Sequence, residues 1–183
     1  MSNYRRTRTP GGIYFFTLVT YRRRPLFAGD QARRCLRQAI AEVKERHPFG
    51  MDAICLLPDH LHTIWKLPVD DMAYSRRWNE IKGLFSKRLR LLDGESGGIT
   101  ESRQRNGEAS FWQRRFWEHL IRNETDYIHH LDYLHFNPVK HGLVERVLDW
   151  PWSSFHRYVR EGIYPADWGG SNPAMMNLTT VGE

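Results

Sequence analysis

Leu57-Pro58-Asp59-His60-Leu61-His62-Thr63-Ile64-Trp65 places two histidines one residue apart in a run that reads as β-strand. Strand side chains alternate faces with a period of two, so His60 and His62 point the same way and Leu61 packs on the other face. Two imidazoles on a rigid strand form a ready pair of metal ligands, although the same spacing also arises from polar residues on a solvent-facing strand. Upstream, Met51 to Leu57 is almost wholly apolar and reads as a buried strand. Pro58-Asp59 suits the centre of a tight turn. The two runs therefore predict an antiparallel hairpin with the histidines on the return strand, His60 to Leu67.

Working outward, Ile13 to Tyr21 is rich in aromatic and β-branched residues and predicts a first strand, ending at Arg22, Arg23 and Arg24. These three arginines form either a phosphate-facing cluster or a solvated loop. Asp30 is placed to cap a helix to about Arg46, with Ala32, Cys35, Leu36, Ala39, Ile40 and Val43 as its apolar stripe. Ser75 is placed to cap a second helix to about Leu92, with Trp78, Ile81, Phe85, Leu89 and Leu92 facing inward. Arg76, Arg77, Lys82 and Lys87 fall on its other positions, and one sign of charge this dominant favours a polyanion partner. Residues 93–110 carry almost nothing to bury and read as a flexible insertion. Phe111 to Ile121 predicts a further strand. Asn123 to Asn137 predicts a third helix, stopped by Pro138. Gly142 to Val147 suits a short strand, Ser153 to Glu161 a short helix, and residues 171–183 a loose tail.

The chain has 183 residues, 40% of them hydrophobic, enough for one domain with a sizeable core. Formal net charge is +6 and aromatic residues make up 13%, many beside arginines. Rings that stack on bases, interleaved with cations that track a backbone, suit single-stranded nucleic acid; a basic protein with a large aromatic core has the same composition. Cys35 and Cys55 sit in apolar patterns without metal-knuckle spacing and read as buried free thiols in a reducing cytosol. No apolar run approaches transmembrane length, and the expected location is the cytoplasm, at the nucleoid.

The third helix is dense in reactive groups: Tyr127-Ile128-His129-His130-Leu131-Asp132-Tyr133-Leu134-His135-Phe136-Asn137. Tyr133 and Asn137 are four residues apart and share a face, with His129 and His130 one turn earlier. If this helix lies beside the histidine strand, a hard divalent cation could take His60, His62 and the Asn137 oxygen, leaving positions for phosphate oxygens and water. Tyr133 would then be the nucleophile of a phosphodiester transesterification. The packing residues of the helix also permit a purely structural role for its histidines.

Taken together, these motifs resemble the REP-associated tyrosine transposases, single-tyrosine members of the HUH family. The resemblance rests on Asn3-Tyr4-Arg5-Arg6, the Leu57 to His62 block with Ile64-Trp65, Trp112-Gln113 and Arg115-Phe116-Trp117-Glu118-His119. It continues through His129 to Tyr133, Asn137-Pro138-Val139-Lys140-His141-Gly142, and Asp149-Trp150-Pro151 with Ser153 to His156, spanning the chain to about Gly170. It implies an α+β, ferredoxin-like HUH fold: a central antiparallel sheet with helices on one face. It implies a Mg²⁺ or Mn²⁺ site from His60, His62 and Asn137. It implies that Tyr133 attacks single-stranded DNA to give a 5′-phosphotyrosine and a free 3′-OH.

The implied partner is a REP hairpin with an adjacent tetranucleotide, read by the basic arm of residues 1–10 through Asn3, Tyr4, Arg5, Arg6 and Arg8; a monomer is favoured over a dimer. Gln113, Glu118 and His119 read more readily as structural than as DNA contacts, and the roles of His129 and His130 stay open. Two other functions compete. One is a binder of structured single-stranded DNA or RNA without turnover; the other is a metal-dependent phosphodiesterase that uses water.

Overall fold

A computed structural model describes residues 9–92 and 111–169. Four strands, β1 (Ile13–Val19), β2 (Gly50–Leu56), β3 (His60–Lys66) and β4 (Trp117–Leu120), form one antiparallel sheet in the order β2-β3-β1-β4. Helix α1 (Asp30–Arg46) joins β1 to β2, and α2 (Tyr74–Leu92) stands between β3 and β4 in the chain. This is the βαββαβ order of a ferredoxin-like fold. The predicted hairpin is present: Leu57 N–H bonds to the His60 carbonyl at 2.8 Å across Pro58-Asp59, and Leu56 pairs with Leu61.

Strand alternation sorts the core into two layers. Tyr14, Phe16 and Leu18 of β1 and Leu61 and Trp65 of β3 pack with α1 and α2. Phe15 of β1 and Ile64 of β3 face the opposite way, onto α3 (Glu124–Lys140) and the short α4 (Phe155–Arg160). Helices therefore cover both faces of the sheet, not one. The nearly continuous apolar character of β2 fits a sheet buried on both sides.

Three other expectations are corrected. Leu92, the last residue of α2, is 55% exposed instead of facing inward. Helix α3 runs through Pro138 to Lys140 instead of stopping at Asn137. Proline lacks an N–H, but only two helical residues follow it, so one intrahelical bond is lost and the turn closes through His141 N–H to the Asn137 carbonyl at 3.0 Å. Gly142 to Val147 is not a strand; Val147–Asp149 is a 3₁₀ turn against α3 and the Phe155 cluster. The outer edge of β2 is instead capped by the segment 152–154. There Leu56 N–H bonds to the Trp152 carbonyl and Ser154 N–H to the Ile54 carbonyl, each at 2.8 Å, which removes a bare edge. Cys35 and Cys55 are free and buried, as expected.

Candidate active site

The site forms where β3 faces α3. His60 and His62 project from β3 toward this helix, their ring centroids 4.9 Å apart. Tyr133 lies against His62 with centroids 5.3 Å apart, and Asn137 follows one turn later on the same helical face. All four are buried, with exposures from 0 to 2%. Sequence spacing set each pair; the packing of α3 on the sheet through Leu131, Leu134 and Phe15 brings the pairs together.

Each imidazole is oriented through its Nδ1. His60 Nδ1 lies 2.6 Å from Asp59 Oδ1, and His62 Nδ1 lies 2.9 Å from Thr17 Oγ1, directly opposite it on β1. A carboxylate accepts, so His60 donates from Nδ1 and keeps the lone pair on Nε2. Thr17 can accept from His62 in the same sense. The Nε2 atoms of both rings are buried without a hydrogen-bond partner. Asn137 is close enough to His62 to favour its charged form slightly, yet neither of its amide atoms completes a hydrogen bond. Two imidazole nitrogens and both amide atoms of Asn137, buried and unsatisfied on facing elements, are costly unless something satisfies them. Two imidazole nitrogens and an amide oxygen suit a divalent cation that keeps further positions for phosphate or water.

The electrostatics agree with that use. Burial holds His60 below the ordinary histidine range, against the opposing pull of Asp59. Burial also holds His62 well below it, and the neighbouring His60, His141 and Lys140 push the same way. Both rings are therefore neutral at pH 7, the form that ligates. Burial alone would raise Asp59, but the hydrogen bonds and charges of His60 and Arg23 hold it below the usual carboxylate range.

Three further residues at the site carried no assigned role in the sequence. Lys140 Nζ lies 3.4 Å from the Tyr133 phenol oxygen, and the exposed His141 ring stands 5.2 Å from that of His60. Lys140 is seven residues after Tyr133, two helical turns along the same face, so its position was readable from spacing. Thr17 was not, because its contact depends on strand register.

The basic residues divide. Arg23 pairs with Asp59 at 3.2 Å, beside the His60 turn. Arg22 and Arg23 adopt positive φ values of 54° and 50°, unusual for residues with a Cβ and concentrated at functional sites. Arg24 is half-buried and stacks over Phe111. Helix α2 lies on the other face of the sheet, so Arg76, Lys82 and Lys87 are not brought to the histidines. Arg77 does not belong to a basic outer face at all. It is 3% exposed, its guanidinium pairs with Asp71 at 2.7 Å, and it donates to the carbonyls of His47 and Pro48. Asn3, Tyr4, Arg5, Arg6 and Arg8 lie outside the described residues, as do the 93–110 insertion and the tail from residue 170.

A second His/Asp group, His119, Asp126 and His130, joins the end of β4 to the start of α3. His130 Nδ1 lies 2.8 Å from the Asp126 carbonyl, which only accepts, so this nitrogen carries a proton. The His119 and His130 rings stack with centroids 4.3 Å apart and planes within 17°. A metal bound in the plane of one ring lies outside the plane of the other. The group is better read as a clamp at the helix start, where Asp126 also accepts from Arg122 N–H and Asn123 caps Asp126. His119 and His130 have structural partners in this clamp, and His129 is exposed. No helix among the described residues is long and apolar enough to cross a membrane.

Comparison with known proteins places this arrangement in context. The family model "Transposase IS200 like" matches residues 11–135. A REP-associated tyrosine transposase of Escherichia coli (strain K12) is 45% identical over 170 residues, 93% of this chain and 92% of the relative. A provisionally named REP-associated tyrosine transposase of Haemophilus influenzae (strain Rd) is 48% identical over 171 residues, 93% and 95% of the two chains. A solved structure of a REP-associated tyrosine transposase bound to a REP hairpin superposes with a TM-score of 0.76 at 45% identity, covering 93% of each chain.

Proposed function

The chain belongs to the REP-associated tyrosine transposases of the IS200-like family, DNA-cleaving and strand-transferring enzymes, and from that premise we propose that it cleaves and rejoins REP-hairpin single-stranded DNA through a 5′-phosphotyrosine on Tyr133. The observation that carries this reading is that His60 Nε2, His62 Nε2 and the Asn137 amide are all buried and unsatisfied, with the two imidazoles adjacent and the Tyr133 ring against His62. A protein that only bound DNA would gain nothing from that arrangement and would bear its desolvation cost.

His60, His62 and Asn137 would hold Mg²⁺ or Mn²⁺, which when bound supplies positive charge against the scissile phosphate. The chain's own groups do the rest. Asp59 and Thr17 keep the ligating nitrogens aimed inward. Tyr133 is held by the rings of His62 and Phe15, which fixes the direction of its phenol. The phenol oxygen attacks phosphorus, its proton leaves, and the 3′ oxygen departs as the hydroxyl after taking up a proton. The bond energy stays in the phosphotyrosine link, so attack by a 3′-OH rejoins strands. Lys140 stands over the phenol and favours its ionised form.

The relative solved with a REP hairpin supports a hairpin of that kind as substrate. The Arg22 to Arg24 turn lies beside Asp59 and suits its phosphates; the arm of residues 1–10 suits reading of the adjacent tetranucleotide. A monomer acting in the cytoplasm at the nucleoid fits this work. The test is incubation of a labelled REP hairpin carrying its single-stranded flank with Mg²⁺ or Mn²⁺. Cleavage that stops on adding excess chelator supports the reading; undiminished cleavage in chelator removes the metal from it.

A further inference from the structure

A cleft unconnected with any role above opens at the β2 edge, between α1 and the segment 152–154, with a volume of about 320 Å³. That is the low end of the range for small-ligand sites and suits a single nucleotide. Leu36, Ile40 and Met51 contribute to an apolar floor. One wall is Trp152, with the Arg33 guanidinium 4.0 Å from its ring centre. Arg33 is locked in place: its Nη1 donates to the Phe27 and Ala28 carbonyls at 2.6 and 2.9 Å, and it is paired with Asp30. Arg37, one turn further along α1, is exposed at the mouth, and no carboxylate among the described residues lines the cleft.

We propose that this cleft holds an unpaired nucleotide of the single strand that continues beyond the hairpin, its base against the Arg33–Trp152 wall and its phosphate on Arg37. The proposal rests on the reading of the chain as an enzyme of single-stranded DNA. An apolar floor beside a cation-backed indole is the chemistry of a base-stacking platform, and a free arginine at the rim is that of a phosphate contact. The position fits a strand that leaves the histidine site. Phe27 N–H bonds to the Pro58 carbonyl at 2.9 Å, so the wall of the cleft is tied to the turn that presents His60. Arg23, paired with Asp59 in that turn, adds a cation on the histidine side. A peptide is disfavoured as occupant, because the backbone groups of β2 that would pair with it already pair with Trp152 and Ser154.

The test compares wild type, Trp152→Leu and Arg37→Ala at fixed salt with two probes. One is a labelled oligothymidine of about twelve residues, within the span of a single-strand site; the other is the REP hairpin without flanks. Trp152→Leu leaves charge unchanged and Arg37→Ala alters an exposed side chain, so the second variant reports even if the first is destabilised. Each substitution is expected to weaken oligothymidine binding about tenfold, the effect of losing one stacked base or phosphate contact. Hairpin affinity should stay within about twofold, and an abasic oligomer should bind wild type and Trp152→Leu alike. Unchanged oligothymidine affinity in Arg37→Ala, equal losses on both probes, or no oligothymidine binding by wild type overturns the proposal. Failure of wild type to bind the hairpin strikes the REP reading alone, and the oligothymidine comparison still decides the cleft.

Discussion

The Lys140 ammonium lies 3.4 Å from the Tyr133 phenol oxygen and 4.9 Å from the centre of its ring. An ordinary phenol ionises near pH 10, so a nucleophilic tyrosine needs positive charge close by. Lys140→Met keeps most of the side chain and removes the charge. A preorganised, desolvated donor is worth roughly a hundredfold to a thousandfold in rate. Lys140 is exposed and partly screened, so the expected loss in cleavage rate is smaller, about tenfold, with hairpin affinity nearly unchanged. Single-turnover cleavage rates check this, and an unaltered rate would remove Lys140 from the chemistry.

Thr17 supports His62 from the neighbouring strand, so its effect should pass through the metal. Thr17→Val keeps the shape and loses the hydrogen bond. Loss of such a supporting contact typically weakens metal affinity by about 10–100-fold. Cleavage at limiting Mn²⁺ should fall accordingly and recover at high Mn²⁺. A loss that excess Mn²⁺ does not repair would mean that Thr17 acts on something other than the ligand.

Arg77 should behave as an internal staple. Arg77→Ala strands the Asp71 carboxylate and the His47 and Pro48 carbonyls. Breaking a buried pair costs about 3 kcal/mol at the low end, suited here because Asp71 is partly exposed. Urea denaturation should register that loss while the folded variant binds DNA like wild type. Full stability with weakened DNA binding would restore Arg77 to the basic face.

That residue shows where the sequence could have been read further. Arg77 is three residues after Tyr74 and four before Ile81, on the same stripe as the core residues, so helical spacing already pointed it inward. The hairpin, the shared face of His60 and His62, and the Tyr133–Asn137 pair were legible because each depends on local periodicity. The covering of both sheet faces was half-legible in the apolar run of β2. The contact of Thr17 with His62 was not, since it depends on the register of β1 against β3. Nor was the fate of 142–147: its residues favour a strand, but segment 152–154 takes the open edge of β2.

Acid should destabilise the fold before its carboxylates titrate. Burial lowers His135 to about 3 from 6.5, and lowers His130 less far. The unfolded chain takes up these protons as pH falls through 6.5, whereas the native state does not, so stability is full above 6.5 and declines below it. For His135 the loss is about 1.4 kcal/mol per pH unit, or about 2 kcal/mol at pH 5. Urea midpoints in the presence of chelator at about pH 7.5 and 5 measure it. Equal midpoints would mean that these histidines are not buried neutral.

The most direct test of the account is identification of the covalent adduct. Wild type and Tyr133→Phe are each incubated with Mn²⁺ and a labelled, flanked REP hairpin, resolved under denaturing conditions, and the adduct is digested for mass spectrometry. The account predicts a DNA-linked band from wild type whose 5′ phosphate maps to Tyr133, and no cleavage by Tyr133→Phe despite hairpin binding. Cleavage by wild type without an adduct, an adduct on another residue, or an active Tyr133→Phe would contradict it.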